Sequence, residues 1–145
     1  MSKIDLDYAY GQAKLSKNAS KHCVFAIVGG EFTGLYRFIK GFYGLSDLPT
    51  VYQEHIDKVL EYKTPAWLDD IICVTKETVD EHEKELREVL EKLQTAGYRA
   101  STTKTELFVN EITWLGYQIN QWGVKPIVDK TDAIKRLKPQ RQSKN

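Results

Sequence analysis

The spacing of apolar and polar positions changes several times along the chain, and each change marks an element. In Lys3-Ile4-Asp5-Leu6-Asp7 apolar and acidic residues alternate with the two-residue period of a half-buried strand. Residues 23–28 and 34–39 are apolar runs separated by Gly29-Gly30, a pair permissive of positive φ, and read as a hairpin. From 49 to 62, Tyr52, Ile56, Val59 and Leu60 share one helical face, and Pro49 suits a first helical turn. Residues 66–74 read as two short strands joined by a tight turn. Thr78 and Glu81 match a capping box, Leu86, Val89, Leu90 and Leu93 form one apolar stripe, and Gly97 ends that helix. Beyond it, 98–100, 106–109 and 112–119 look like short strands, Trp122-Gly123 turns the chain back, and a short helix spans 129–137. This order predicts an α+β architecture, with helices on one face of an antiparallel sheet.

Composition narrows the class. With 145 residues, 41% hydrophobic and 28% charged, the sequence fits one soluble domain over 1–137 and a basic, disordered tail over 138–145. No apolar run approaches membrane-span length and no secretory h-region precedes the first strand, so an intracellular chain is expected. Cys23 and Cys73 lie in apolar segments without zinc-ligand spacing, and two buried thiols with no disulfide are expected. The net charge of +1 is unevenly spread. Residues 47–91 hold thirteen acids against five bases, whereas 125–145 hold seven bases against two acids, so the chain should bind polyanions weakly and with strong salt dependence.

The chemistry concentrates in Ala66-Trp67-Leu68-Asp69-Asp70-Ile71-Ile72-Cys73-Val74, where adjacent carboxylates interrupt an apolar run. Ionised acids in such surroundings call for protonation, a Lys or Arg partner, or a divalent metal. A polar hairpin turn is the plainer reading. The metal reading is preferred because Asp5, in another strand-like segment, offers a further carboxylate to an oxygen cage. His22, His55 and His82 are scattered and read as ordinary surface or helix residues.

Four strings in order resemble the palm, with part of the fingers, of reverse transcriptases from gypsy-type long-terminal-repeat retrotransposons and retroviral relatives. Ile4-Asp5-Leu6-Asp7-Tyr8-Ala9-Tyr10-Gly11-Gln12 is similar to the first polymerase motif. Tyr36-Arg37-Phe38, Phe42-Tyr43-Gly44-Leu45 and Pro49 with Gln53 are similar to the second, Trp67-Leu68-Asp69-Asp70 to the third, and Trp114-Leu115-Gly116-Tyr117 to the primer grip. The resemblance implies a palm sheet with a ferredoxin-like core and a small fingers-derived hairpin. It implies two magnesium ions, for which manganese can substitute, held by Asp5 and Asp69, with Asp70 auxiliary and Leu6 offering a backbone carbonyl. Asp7 occupies a variable position and is not expected to be a ligand.

The same resemblance makes Tyr10 the block against a ribose 2′-hydroxyl, sets Tyr43 and Gly44 against the incoming deoxynucleoside triphosphate, and places Lys104 near the leaving pyrophosphate. It sets Gln53 near the template, Trp67 beside the primer terminus, and Trp114, Leu115, Gly116 and Tyr117 on the primer. The implied activity is RNA-directed DNA polymerisation on an RNA or DNA template, in cytoplasmic or virus-like particles with a nuclear stage. Trp67 departs from the usual tyrosine. Upstream fingers, thumb and ribonuclease H regions are expected to be missing, exposing apolar surface and favouring self-association. The alternatives are a non-catalytic nucleic-acid-binding or assembly module and, more remotely, a nucleotide cyclase.

Overall fold

The computed structural model describes residues 1–76 and 78–127, so the helix expected over 129–137 and the tail lie outside the described residues. Among the described residues the strands form three small antiparallel sheets, one of them the expected separate hairpin. Strand β1 (Ser2–Asp5) pairs with β5 (Asp70–Cys73), which pairs with β4 (Ala66–Trp67). β2 (Val24–Ile27) and β3 (Gly34–Arg37) make the hairpin, and β6 (Glu111–Trp114), β7 (Tyr117–Asn120) and β8 (Gly123–Pro126) make a meander. Four helices intervene: α1 (Ala9–Gln12), α2 (Lys17–His22), α3 (Leu48–Val59) and α4 (Val79–Thr95).

The alternation in β1 sorts its residues onto two faces. Ile4 pairs with Ile71 and Ser2 with Cys73; these face the helices, and with Leu6, Tyr52, Ile56, Leu60, Leu86, Val89, Leu93 and Tyr98 they form the buried interior. Lys3 pairs with Ile72 and Asp5 with Asp70 on the opposite face. A strand slip of one residue would bury the acids and expose the isoleucines. Helix α4 is bounded as its sequence predicts. Thr78 Oγ1 accepts from Glu81 N–H at 3.3 Å and Glu81 Oε2 accepts from Thr78 N–H at 3.0 Å. At its other end Gly97, at φ +84°, allows the Tyr98 N–H to reach the Leu93 carbonyl at 2.8 Å.

Two expected strands shrink. Segments 98–100 and 106–109 form no strand ladder with β1: each makes a single bridge, Leu6 with Ala100 and Lys3 with Glu106, supplemented by isolated hydrogen bonds such as Val109 N–H to the Met1 carbonyl at 2.9 Å. The polar turn of residues 101–105 between them accounts for the break, since it leaves each side one paired residue. The run 112–119 is broken in two by Leu115 (φ +50°) and Gly116 (φ +83°), a two-residue turn with both central residues left-handed, as a tight hairpin requires.

Both cysteines are free, and burial pushes the Cys73 thiol up to about 11. Because the thiolate is the reactive form, iodoacetamide at pH 7.5 should modify half-buried Cys23 and spare Cys73 until the chain is unfolded. Peptide mass spectrometry checks this; equal labelling of both thiols in the folded chain would contradict the packing of β5.

Candidate active site

The acids meet where β1 and β5 run side by side. Asp5 and Asp70 are cross-strand partners, and the Leu6 N–H donates to the Asp69 carbonyl at 2.8 Å. Neighbours paired this way have Cα atoms about 5 Å apart and project to the same side. Residues from positions more than sixty apart in sequence thus converge, as the metal reading demanded.

The expected burial of the doublet needs correction. Asp69 is exposed and Asp70 half-buried, because they occupy the turn and first residue of a hairpin at the sheet's end; Asp5 alone is buried. Both inner acids also have lysine partners. Lys3 Nζ lies 3.1 Å from Asp70 Oδ1, and Lys104 Nζ lies 3.3 Å from Asp5 Oδ1. The second pair is at ion-pair distance without hydrogen-bond alignment, so the buried Asp5 oxygen has no hydrogen-bond partner. Lys104, expected near a departing pyrophosphate, thus sits on Asp5. Asp5 first, then the charges of Asp69 and Asp7, hold its ammonium above the usual lysine value. A single cation therefore senses both Asp5 and Asp69.

Among the described residues no three His, Cys, Asp or Glu side chains gather as a metal-holding group. Magnesium seldom needs one, since it keeps several waters and is held by one or two carboxylates plus substrate phosphates. Two convergent carboxylates, one with a buried oxygen that carries an ion pair but no hydrogen bond, suit that requirement.

The aromatic residues gather beside the acids. The Tyr10 ring meets Tyr43 edge-on at 5.4 Å and Tyr52 at 5.3 Å. Burial, then Asp69 and Tyr43, raise the Tyr10 hydroxyl above its ordinary value, which sets it within the field of the doublet. Tyr43 is exposed, and Gly44 at φ +107° has open space around it, so backbone conformation rather than crowding selects glycine there. Trp67 is exposed opposite Asp70, and the Trp114 indole N–H donates to the Asp70 carbonyl at 3.4 Å, joining the Trp114–Tyr117 turn to the acid-bearing strand. Leu115 and Tyr117 are exposed. Gln53, expected near the template, turns its amide onto the backbone of residues 66 and 68. A cleft of about 900 Å³ lies elsewhere, lined by Leu15, Cys23, Leu48, Tyr52, His55 and Tyr98, and none of the acids lines it.

His82 was missed as an ordinary residue. It is buried: Thr75 Oγ1 donates to Glu85 Oε2 at 2.6 Å and so accepts from His82 Nδ1–H at 3.0 Å. That leaves Nε2 to accept the Ser2 hydroxyl at 2.8 Å, while Ser2 Oγ accepts the Phe108 N–H at 3.1 Å. This is the bonding of the neutral ring, whereas an imidazolium would donate to both hydroxyl oxygens. Burial, seconded by the chain's amino terminus and opposed by Glu85, lowers its pKa below 6.5. Below pH 6.5 the unfolded chain takes up protons that the folded one refuses, so stability is full above that pH and declines as pH falls towards the folded value. The midpoint of urea unfolding should therefore drop between pH 7 and pH 5 by more in the wild type than in His82→Gln; equal drops would contradict the assignment.

The site therefore consists of carboxylates at the junction of β1 and β5 in an antiparallel α+β fold. Two solved structures are similar across 95% of this chain, each at 27% identity. They are a foamy viral protease-reverse transcriptase with RNA/DNA hybrid, at a TM-score of 0.76, and its dRH form with double-stranded DNA, at 0.78. The chain covers 18% and 24% of those chains. Among sequences, an uncharacterized protein of Caenorhabditis elegans is 32% identical over 94% of this chain, a Tf2 transposon polyprotein of Schizosaccharomyces pombe 26% over 99%, and the Pol polyprotein from transposon opus of Drosophila melanogaster 28% over 94%. The chain spans between 10% and 14% of the length of these relatives. The family profile of reverse transcriptases (RNA-dependent DNA polymerases) matches residues 1–119, and the chain belongs to that family.

Proposed function

We propose that this chain is the catalytic-core part of an RNA-directed DNA polymerase of the gypsy-type long-terminal-repeat class, adding deoxynucleotides to a primer 3′-hydroxyl on an RNA or DNA template. The observation that carries this reading is the cross-strand placement of Asp5 against the Asp69-Asp70 hairpin. In the proposed mechanism Asp5 and Asp69 would hold two magnesium ions, with Asp70, paired to Lys3, auxiliary. When bound, the ions would lower the pKa of the attacking hydroxyl and neutralise the triphosphate. Tyr10, wedged between Tyr43 and Tyr52, presents a fixed ring edge to the sugar, which excludes a 2′-hydroxyl by bulk. Trp67 and the Trp114–Tyr117 turn flank the doublet and would seat the primer end. Catalysis of this kind rests on positioning and charge, so no protein nucleophile is required.

The β2–β3 hairpin supports further polymerase domains, or a second copy, as a partner. Val28 is 89% and Leu35 79% exposed, with Phe32 and Ile39 beside them. In virus-like particles or cytoplasm such surfaces would be covered. No helix among the described residues is long and apolar enough to cross a membrane.

The lysine partners of Asp5 and Asp70 favour one second reading, a binding module whose acids are permanently neutralised. Primer extension separates the two. On an RNA template with deoxynucleoside triphosphates and magnesium, the polymerase reading expects elongation that chelator stops. Absence of elongation, with primer-template affinity unchanged in Asp5→Asn and Asp69→Asn, would favour the module.

A further inference from the structure

Two side-chain amides are fully committed at the chain reversals beside the acids. Strand β4 is the outer strand of its sheet, and its Ala66 carbonyl and Leu68 N–H have no strand to meet. Gln53, from helix α3, supplies both partners: Nε2 donates to the Ala66 carbonyl at 3.1 Å and Oε1 accepts the Leu68 N–H at 2.7 Å. Its remaining N–H donates to Asp57 Oδ1 at 2.8 Å, one helical turn on, which fixes which way round the amide lies. Leu68 holds a left-handed φ of +53°, a costly conformation for a branched side chain, immediately before Asp69.

Gln12 repeats the device on the other side. Its Oε1 accepts the Arg99 N–H at 2.7 Å and its Nε2 donates to the Arg99 carbonyl at 3.0 Å and to the Asp7 carbonyl. The Asp7 N–H also donates to that Arg99 carbonyl, and the Ser101 N–H to the Asp5 carbonyl. Between Asp7 and helix α1 the chain turns through Tyr8 at φ +47°. A flexible loop in either place would let the acids drift, and catalytic groups must be held to within about 0.5 Å.

We propose that Gln53 and Gln12 are positioning residues that take the place of missing strand neighbours and fix the two reversals, so that Asp69 and Asp5 keep their mutual geometry. The idea rests on the two-carboxylate metal reading above. Neither glutamine touches substrate in this role; each acts through backbone.

The test uses the full 145-residue chain. Gln53→Met and Gln12→Met keep length and remove the amide. Amide hydrogen exchange followed by NMR should quicken about tenfold at Leu68 in the first variant and at Arg99 in the second, with the amides of α4 unchanged. The Mn²⁺ midpoint, read by electron paramagnetic resonance, should weaken about tenfold in both, the scale on which orienting neighbours tune a metal site. A merely structural role would quicken exchange throughout, α4 included, and leave the midpoint of folded molecules in place. Gln53→Glu, which still offers an acceptor to the Leu68 N–H, should restore part of the Leu68 protection, and it serves if the Met variant does not fold. Unchanged exchange at Leu68 and Arg99, or unchanged Mn²⁺ midpoints despite faster exchange, overturns the proposal. If the wild type shows no Mn²⁺ binding that Asp69→Asn removes, the metal reading fails instead, and the exchange result alone decides whether the amides hold the turns.

Discussion

Asp5→Asn is expected to lower primer extension by about a thousandfold, matching several kcal/mol of charge stabilisation, while leaving the fold in place. Asparagine keeps the shape of the side chain, and the Asp5 backbone contacts to Thr105 and Ser101 do not depend on its charge. What disappears is the buried carboxylate on the face of the β1–β5 pair away from the helices. Losing it also releases Lys104, whose raised pKa should return towards the ordinary lysine value. Extension rates with saturating nucleotide, beside a melting curve of each protein, check the claim. A variant that retains a tenth or more of the wild-type rate would place the chemistry elsewhere.

Ile71→Ala is expected to cost about 2–5 kcal/mol of stability, the range for removing a large aliphatic side chain from a filled interior. Ile71 is 0% exposed and lies between Ile4 on one neighbouring strand and Ala66 on the other, with helices above. No adjacent loop can collapse into the space, because all three strands are fixed by their ladders. Val79→Ala, at an exposed position in the first turn of α4, should change stability by about 0.5 kcal/mol or less. Urea unfolding of both variants decides it; similar losses at the two sites would mean that the sheet–helix interior is not where stability resides.

Much of this molecule was legible in its sequence because its strongest signals are local. The capping box at Thr78 and Glu81 and the stop at Gly97 specify α4 within one stretch of chain, and the structure reproduces both; of the expected stripe Leu86, Val89 and Leu93 are buried, whereas Leu90, at its edge, is exposed. The hairpin across Gly29-Gly30 is likewise a local signal, whereas the apolar pattern alone reads through the turn at Leu115-Gly116 as part of one strand over 112–119. The strands over 98–100 and 106–109 were overread, since apolar content announced pairing while the polar turn between them limited it to single bridges. His82 left a readable trace, lying four residues before Leu86 on the buried stripe, yet its polarity argued against burial until Ser2 and Thr75 appeared as partners. Gln12 and Gln53 left none: an amide bonded to distant backbone follows no period. The doublet was wrongly expected to be buried, because an apolar flank does not show that the acids occupy the turn itself.

Convergence of Asp5 and Asp69 on bound divalent metal is the centre of this account, and Mn²⁺ binding to the wild type and to Asp69→Asn measures it most directly. Electron paramagnetic resonance should show the wild type taking up Mn²⁺ at millimolar concentration or below, with a higher melting temperature on binding, and both effects should vanish in Asp69→Asn. Identical Mn²⁺ titrations for the two proteins would contradict it.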